Sequence, residues 1–105
     1  MKDVISQLIK FRDDRDWKQF HTAENLSKSI VLEAAELLEN FQWSSSNFNV
    51  ENIKEELADI MTYSLLMCDY YGFDVKEIII EKMKKNEKKY PIDKSYGKSE
   101  KYNKL

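Results

Sequence analysis

The sequence predicts an all-α fold, a short antiparallel bundle of four main helices. Apolar residues recur at the helical spacing of three to four positions in four segments of the chain. The 105 residues include only two Gly and one Pro, which is too little punctuation for the many turns of an all-β fold. The apolar content of 42% supports one modest core, so we expect a single domain over residues 1–105. The core of a domain of this size is often completed by oligomerisation.

The first two predicted helices lie before a polar loop. The first covers residues 3–14. The second covers about residues 22–41, where Thr22 is a suitable N-cap because its hydroxyl can accept a backbone hydrogen bond. The loop that follows, 42–49, is rich in Ser and Asn.

The last two predicted helices have their own boundary signals. The third covers residues 50–71 and is followed by Gly72, which suits the left-handed position after a helix. The fourth covers residues 75–89, and Asp74 with Glu77 fits a capping box at its start. A Pro ends it, and we expect the Lys- and Tyr-rich tail, 92–105, to be irregular.

The charge of the chain is divided between an acidic body and a basic end. Residues 1–81 carry 8 basic and 16 acidic side chains, whereas residues 82–105 carry nine Lys and three acids. Nine Lys without an Arg lack the bidentate groups that favour base readout, so we expect no stable nucleic-acid complex. One Cys and one His exclude a disulfide framework and most histidine-based metal sites. No signal peptide or membrane-length apolar segment is present, which predicts a cytoplasmic protein.

Two pairs of acids border the predicted core. Glu33 and Glu36 lie at one edge of the apolar stripe of the second helix, and Glu56 and Asp59 lie with Tyr63 at the edge of the third. If the pairs face each other, four negative charges meet and a divalent cation would offset them. Oxygen ligands favour Mg²⁺, Mn²⁺ or Ca²⁺ over zinc. Solvated helix faces are the alternative interpretation.

Two further features suggest a polar pocket with aromatic walls. Lys82 and Asn86 fall within the apolar stripe of the fourth helix, although the last turns of a short helix can also be solvated. Aromatic residues concentrate around the ends of the second helix and could close a core or stack on a nucleobase. These aromatic residues are Trp17, Phe20, Phe41, Trp43 and Phe48.

The acid spacing resembles that of the all-α nucleoside triphosphate pyrophosphohydrolases, the MazG-like superfamily. The resemblance to its dCTP pyrophosphatase branch extends over nearly the whole chain. It is carried by RDWKQFH (15–21), ENLSKSIVLEAAELLENFQW (24–43), EELADIMTY (55–63), EKMKKNEKKYP (81–91) and GKSEKY (97–102).

The resemblance implies Mg²⁺-dependent hydrolysis of a nucleoside triphosphate, such as dCTP or a modified dCTP, to the monophosphate and pyrophosphate, in nucleotide-pool sanitation. Mn²⁺ is a possible substitute. It also implies a homodimer or a dimer of dimers. The implied metal ligands are Glu33, Glu36, Glu56 and Asp59. Of these, Glu33 and Glu36 are our candidates for a catalytic base, and Glu55 is the alternative.

The implied substrate contacts are spread along the chain. Base and sugar contacts fall on Trp17, Trp43 and Tyr63. Phosphate or sugar contacts fall on Lys82, Asn86, Tyr90, Lys101 and Tyr102. Some relatives carry a base-contacting His where this chain has Leu8, so the preferred base stays open. The alternative functions are an all-α dUTPase-like enzyme and a non-catalytic helical interaction module.

Overall fold

The structure, a computed structural model, describes residues 1–43 and 49–104. Within these ranges it is helical and has no strand, which confirms the predicted fold class. The main helices are α1 (Lys2–Asp14), α2 (Ala23–Glu39), α3 (Val50–Tyr71), α4 (Val75–Lys89) and the short α5 (Ile92–Ser95). Two 3₁₀ turns span Lys18–Phe20 and Tyr102–Lys104. Most of the predicted loop, 44–48, and Phe48 with it, lie outside the described residues.

The helix boundaries follow from caps in the sequence. The Thr22 hydroxyl accepts a hydrogen bond from the Asn25 backbone N–H at 3.1 Å, and the Asp74 carboxylate accepts one from the Glu77 N–H at 3.0 Å. Gly72 ends α3 with φ of 70°, a left-handed conformation that is strained for residues with a side chain. The predicted N-caps and the predicted glycine stop are therefore confirmed.

The chain forms two compact units, Met1–Gly72 and Phe73–Leu105. In the first unit α2 packs along α3, and α1 contacts α3 over a smaller area. Leu26, Leu65 and Leu66 are its buried apolar side chains among the described residues. The packing of α2 on α3 places their acidic edges side by side, which is how the fold builds the site below.

Arg12 is buried in the first unit, with 4% of its surface exposed. Its Nη1 donates to the Asp69 carboxylate at 2.8 Å and its Nε donates to the Asp13 carboxylate at 2.9 Å. A buried charge is tolerated only when it is paired in this way. The Arg12–Asp69 ion pair therefore ties α1 to α3.

The second unit contains α4, α5 and the last 3₁₀ turn. The tail is partly helical where the sequence predicts irregular structure. The reason is local, because the Pro91 carbonyl accepts hydrogen bonds from the Lys94 and Ser95 N–H groups and so starts α5. Among the described residues, no helix combines the length and the apolar character that crossing a bilayer requires.

Candidate functional site

Three carboxylates of the first unit form a cluster between α2 and α3. One carboxylate oxygen from each of Glu33, Glu56 and Asp59 lies within 4.8 Å of the other two. Glu33 and Glu56 are half-buried and Asp59 is exposed. The predicted meeting of the two acid pairs is thus found for three of the four residues, and we call these three the carboxylate cluster.

The cluster is electrostatically unfavourable without a counter-charge. Glu33 Oε2 and Glu56 Oε2 are buried and have no hydrogen-bond partner among the described residues, although buried polar atoms are normally paired. Burial first, and then the proximity of Glu56, Glu36 and Asp59, raises the pKa of Glu33 to about 7. Burial is also the main cause that raises the pKa of Glu56. The folded chain therefore favours a proton or a cation at this point.

The carboxylate cluster fits a divalent cation. Oxygens bound to one Mg²⁺ at about 2.1 Å lie roughly 3–4 Å apart, which is compatible with the spread of the three ligand atoms. A cation would also give partners to the two buried oxygens that lack them. The donors are all carboxylates, a set that suits Mg²⁺, Mn²⁺ or Ca²⁺ and includes no imidazole or thiolate.

Glu36 and Tyr63 lie beside the cluster. Glu36 is exposed, and its charge contributes to the raised pKa of Glu33. Tyr63 is half-buried, and its pKa is raised by burial and then by the charges of Glu33, Asp59 and Glu36. Both residues are therefore within electrostatic reach of the cluster, as the wheel positions predict.

A cavity of about 400 Å³ adjoins the cluster. Among the described residues, those that line it are Glu36, Glu39, Asn40, Asn52 and Glu56. Sequence reasoning missed Glu39, Asn40 and Asn52. The two Asn flank the polar loop, at the end of α2 and in the first turn of α3. The sequence places carboxamides at both ends of one loop, but this pattern alone does not predict that they meet.

The two Trp candidates of the first unit are exposed to different degrees. Trp17 is 44% exposed, and its ring makes a T-shaped contact with Phe11 at 5.7 Å between centroids. The Arg15 guanidinium carbon lies 3.7 Å from the centre of the Phe11 ring. Trp43 is 90% exposed. Neither indole is therefore committed to the core of the unit.

The phosphate-contact candidates all belong to the second unit. Lys82 is exposed and Asn86 is half-buried, one turn apart on α4. The Tyr90 and Tyr102 rings pack edge to face with centroids 6.2 Å apart, and Lys101 directly precedes that second ring in the chain. Within this unit the structure thus brings together the two tyrosines of the predicted set.

A family model decides the membership of the chain. The model described as the MazG-like family matches residues 28–105. The chain belongs to the MazG-like family. The matched range includes every residue of the carboxylate cluster and all of the second unit.

Curated and solved relatives of this MazG-like chain are pyrophosphatases. It is 32% identical to mouse dCTP pyrophosphatase 1 and 30% identical to the human protein of that name, over all of this chain and 67% of each relative. The chain is also similar to the crystal structure of a pyrophosphatase from Archaeoglobus fulgidus, with a TM-score of 0.82 and 40% sequence identity. This match covers 87% of this chain and 92% of the A. fulgidus chain. The predicted enzyme class, a hydrolase acting on phosphoric anhydrides, is confirmed by these similarities.

Proposed function

We propose that this MazG-like chain is a Mg²⁺-dependent nucleoside triphosphate pyrophosphohydrolase that acts on dCTP or a modified dCTP. The products are the monophosphate and pyrophosphate, and the role is nucleotide-pool sanitation. The observation that carries the proposal is the carboxylate cluster, with its two buried oxygens that lack partners. The names of the mouse and human relatives support the choice of dCTP.

In the proposed mechanism the acids of α2 and α3 divide the work. Glu33, Glu56 and Asp59 hold the cation through carboxylate oxygens, and the exposed Glu36 completes the set from the same edge of α2. When bound, Mg²⁺ offsets the charge of the triphosphate and makes water a better nucleophile. Glu33 or Glu36 accepts the proton of the water that attacks phosphorus, on whichever carboxylate oxygen is free of metal.

The remaining proposed contacts bind and orient the nucleotide. The aromatic rings offer flat apolar faces to the base, and the Lys-rich second unit offers positive charge to the phosphates. The base and sugar contacts are Trp17, Trp43 and Tyr63. The phosphate or sugar contacts are Lys82, Asn86, Tyr90, Lys101 and Tyr102.

The proposed assembly is a homodimer or a dimer of dimers. Large apolar side chains on α2 and α3 are exposed in the single chain, among them Val31 at 66%, Leu32 at 63% and Met61 at 58%. A concentration of large exposed apolar side chains on two packed helices is typical of an interface. Size-exclusion chromatography with light scattering should give a mass of two or four chains, and a mass of one chain would contradict the assembly.

Neutralising the cluster tests the proposed activity. Glu56→Gln and Asp59→Asn each remove one anionic ligand while keeping the shape of the side chain, so we expect pyrophosphate release to fall at least roughly 100-fold. Glu51→Gln is the matched control, because Glu51 is an exposed acid in the first turn of the same helix. Mg²⁺-dependent turnover at the wild-type rate in both cluster variants would contradict the proposal.

A nucleotide panel separates the proposal from its alternatives. The wild-type protein is incubated with Mg²⁺ and each canonical or modified deoxynucleoside triphosphate, and pyrophosphate is measured. Release from dCTP supports the proposal. Release from dUTP alone would indicate a dUTPase-like enzyme, and no release from any nucleotide would indicate a helical interaction module.

A further inference from the structure

Asn40 and Asn52 form a pair of carboxamides whose orientation is fixed by the backbone. Asn40 Nδ2 donates to the Leu37 carbonyl at 3.1 Å and to Asn52 Oδ1 at 2.9 Å. A carbonyl only accepts hydrogen bonds, so a flip of the Asn40 amide would place two oxygens against each other at Leu37. Asn40 in turn obliges Asn52 to present its oxygen to the pair. The pair therefore has one arrangement of donors and acceptors.

With respect to the described residues, this arrangement leaves one acceptor and one donor available. Asn40 Oδ1 accepts no hydrogen bond from another described residue. Asn52 Nδ2 donates no hydrogen bond to one. Both side chains are half-buried and line the cavity of about 400 Å³ beside the carboxylate cluster. An acceptor and a donor carried by two hydrogen-bonded side chains of one cavity wall can together recognise the edge of a flat heterocycle.

The rest of the cavity wall adds negative charge. Glu36, Glu39 and Glu56 line it together with the two Asn residues. Glu56 also belongs to the carboxylate cluster, so the cavity and the candidate cation site share a residue. With Glu36 and Glu56 assigned to the cation, the exposed Glu39 carboxylate contributes the negative charge that attracts a hydrogen-bond donor and repels a carbonyl oxygen.

We propose that the Asn40–Asn52 pair selects a nucleobase with an amino group beside an unprotonated ring nitrogen, as in cytosine. Asn40 Oδ1 accepts from the exocyclic amino group, and Asn52 Nδ2 donates to the ring nitrogen. Uracil and thymine present a carbonyl oxygen beside a protonated ring nitrogen, which is the reverse pattern. Both contacts would then be repulsive, so the pair disfavours these bases in addition to binding cytosine. This assignment rests on the proposed function, because it gives the base preference of that same site.

The variant Asn52→Asp isolates the donor. The carboxylate that this substitution introduces would still accept the hydrogen bond from Asn40, so the pair persists, but it offers an acceptor where Asn52 Nδ2 donates. A carboxylate in the first turn of α3 is also favourable to the helix. The control is Gln42→Glu, which adds the same charge at an exposed position that does not line the cavity.

The experiment measures both turnover and binding. Values of kcat/KM for dCTP and dUTP are determined with Mg²⁺, and dissociation constants are determined for their non-hydrolysable α,β-imido analogues. We expect wild type and Gln42→Glu to favour the cytosine nucleotide, and Asn52→Asp to lower that preference about 10-fold or more, mainly through weaker cytosine binding.

The outcomes separate this inference from the proposed function. An unchanged cytosine-to-uracil ratio in Asn52→Asp, an equal loss in the control, or a wild-type preference for uracil overturns the base assignment even where hydrolysis occurs. Absence of hydrolysis with an intact cytosine preference in analogue binding overturns only the proposed activity. Failure to bind either analogue overturns both, and the cavity is then better explained by a hydrated cation.

Discussion

Removing the cation should reverse the usual pH dependence of a carboxylate-rich fold. In the cation-free chain the pKa of Glu33 is raised from 4.5 to about 7. A carboxyl group whose pKa is higher in the folded than in the unfolded state binds more protons when folded. The free energy of unfolding then falls as the pH rises. The loss begins near the unfolded pKa of 4.5 and is complete above the folded pKa of about 7.

The size of the effect follows from the shift. For a fully buried group, a shift from 4.5 to about 7 would correspond to about 3 kcal/mol of stability. Glu33 is only half-buried and solvent screens its neighbours, so we expect the cation-free protein to lose about 1–2 kcal/mol between pH 5 and pH 8. Mg²⁺ at about 100 times its dissociation constant would restore about 2.7 kcal/mol at the upper pH.

Urea unfolding at fixed protein concentration measures this effect. Circular dichroism is followed at several pH values with EDTA and then with Mg²⁺. With a typical slope of about 1–3 kcal/mol per molar urea, the midpoint in EDTA should fall by roughly 1 M from pH 5 to pH 8. Glu33→Gln should flatten the profile, whereas the exposed Glu51→Gln should keep it. A cation-free wild type that gains stability toward pH 8, or a Glu33→Gln variant with the same slope, would refute the reasoning.

The core and the buried ion pair lead to two further predictions, both read from urea midpoints. Leu26→Ala, at a side chain with 1% exposure, should destabilise the fold by about 2–5 kcal/mol, and a loss below about 1 kcal/mol would contradict its central place. Asp69→Ala should destabilise the fold by about 1–3 kcal/mol because it leaves the buried Arg12 half-paired. Asp14→Ala, which breaks the exposed pair with Lys10, should cost less than about 1 kcal/mol, and equal losses in the two variants would refute the distinction.

The sequence was most informative where structure is decided locally. The predicted third and fourth helices have the observed boundaries, and the other two differ by one or two residues, because caps such as Thr22 and Gly72 act within one turn. The acid pairs were found because a three-residue spacing at the edge of an apolar stripe determines which surface they share. Short helices such as α5 were missed because one turn carries no periodicity.

Features that depend on tertiary contact could not be read from the sequence. The Asn40–Asn52 hydrogen bond joins the end of one helix to the start of the next, and no local pattern predicts that the two amides meet. The buried state of Arg12 is a similar case. An Arg near the end of an amphipathic helix is usually solvated, and the local sequence does not show that Arg12 meets Asp69 of α3 in the folded unit.

The repulsion within the carboxylate cluster also has a consequence for how such a chain can evolve. If an acid destabilises the cation-free fold, its replacement by a neutral residue increases the free energy of unfolding of the cation-free protein. Drift that replaces Glu33 or Glu56 by a neutral residue would therefore meet no resistance from folding, and only selection for activity would oppose it. A duplicated copy released from that selection should lose its acids before its leucines and persist as a stable helical protein without catalysis.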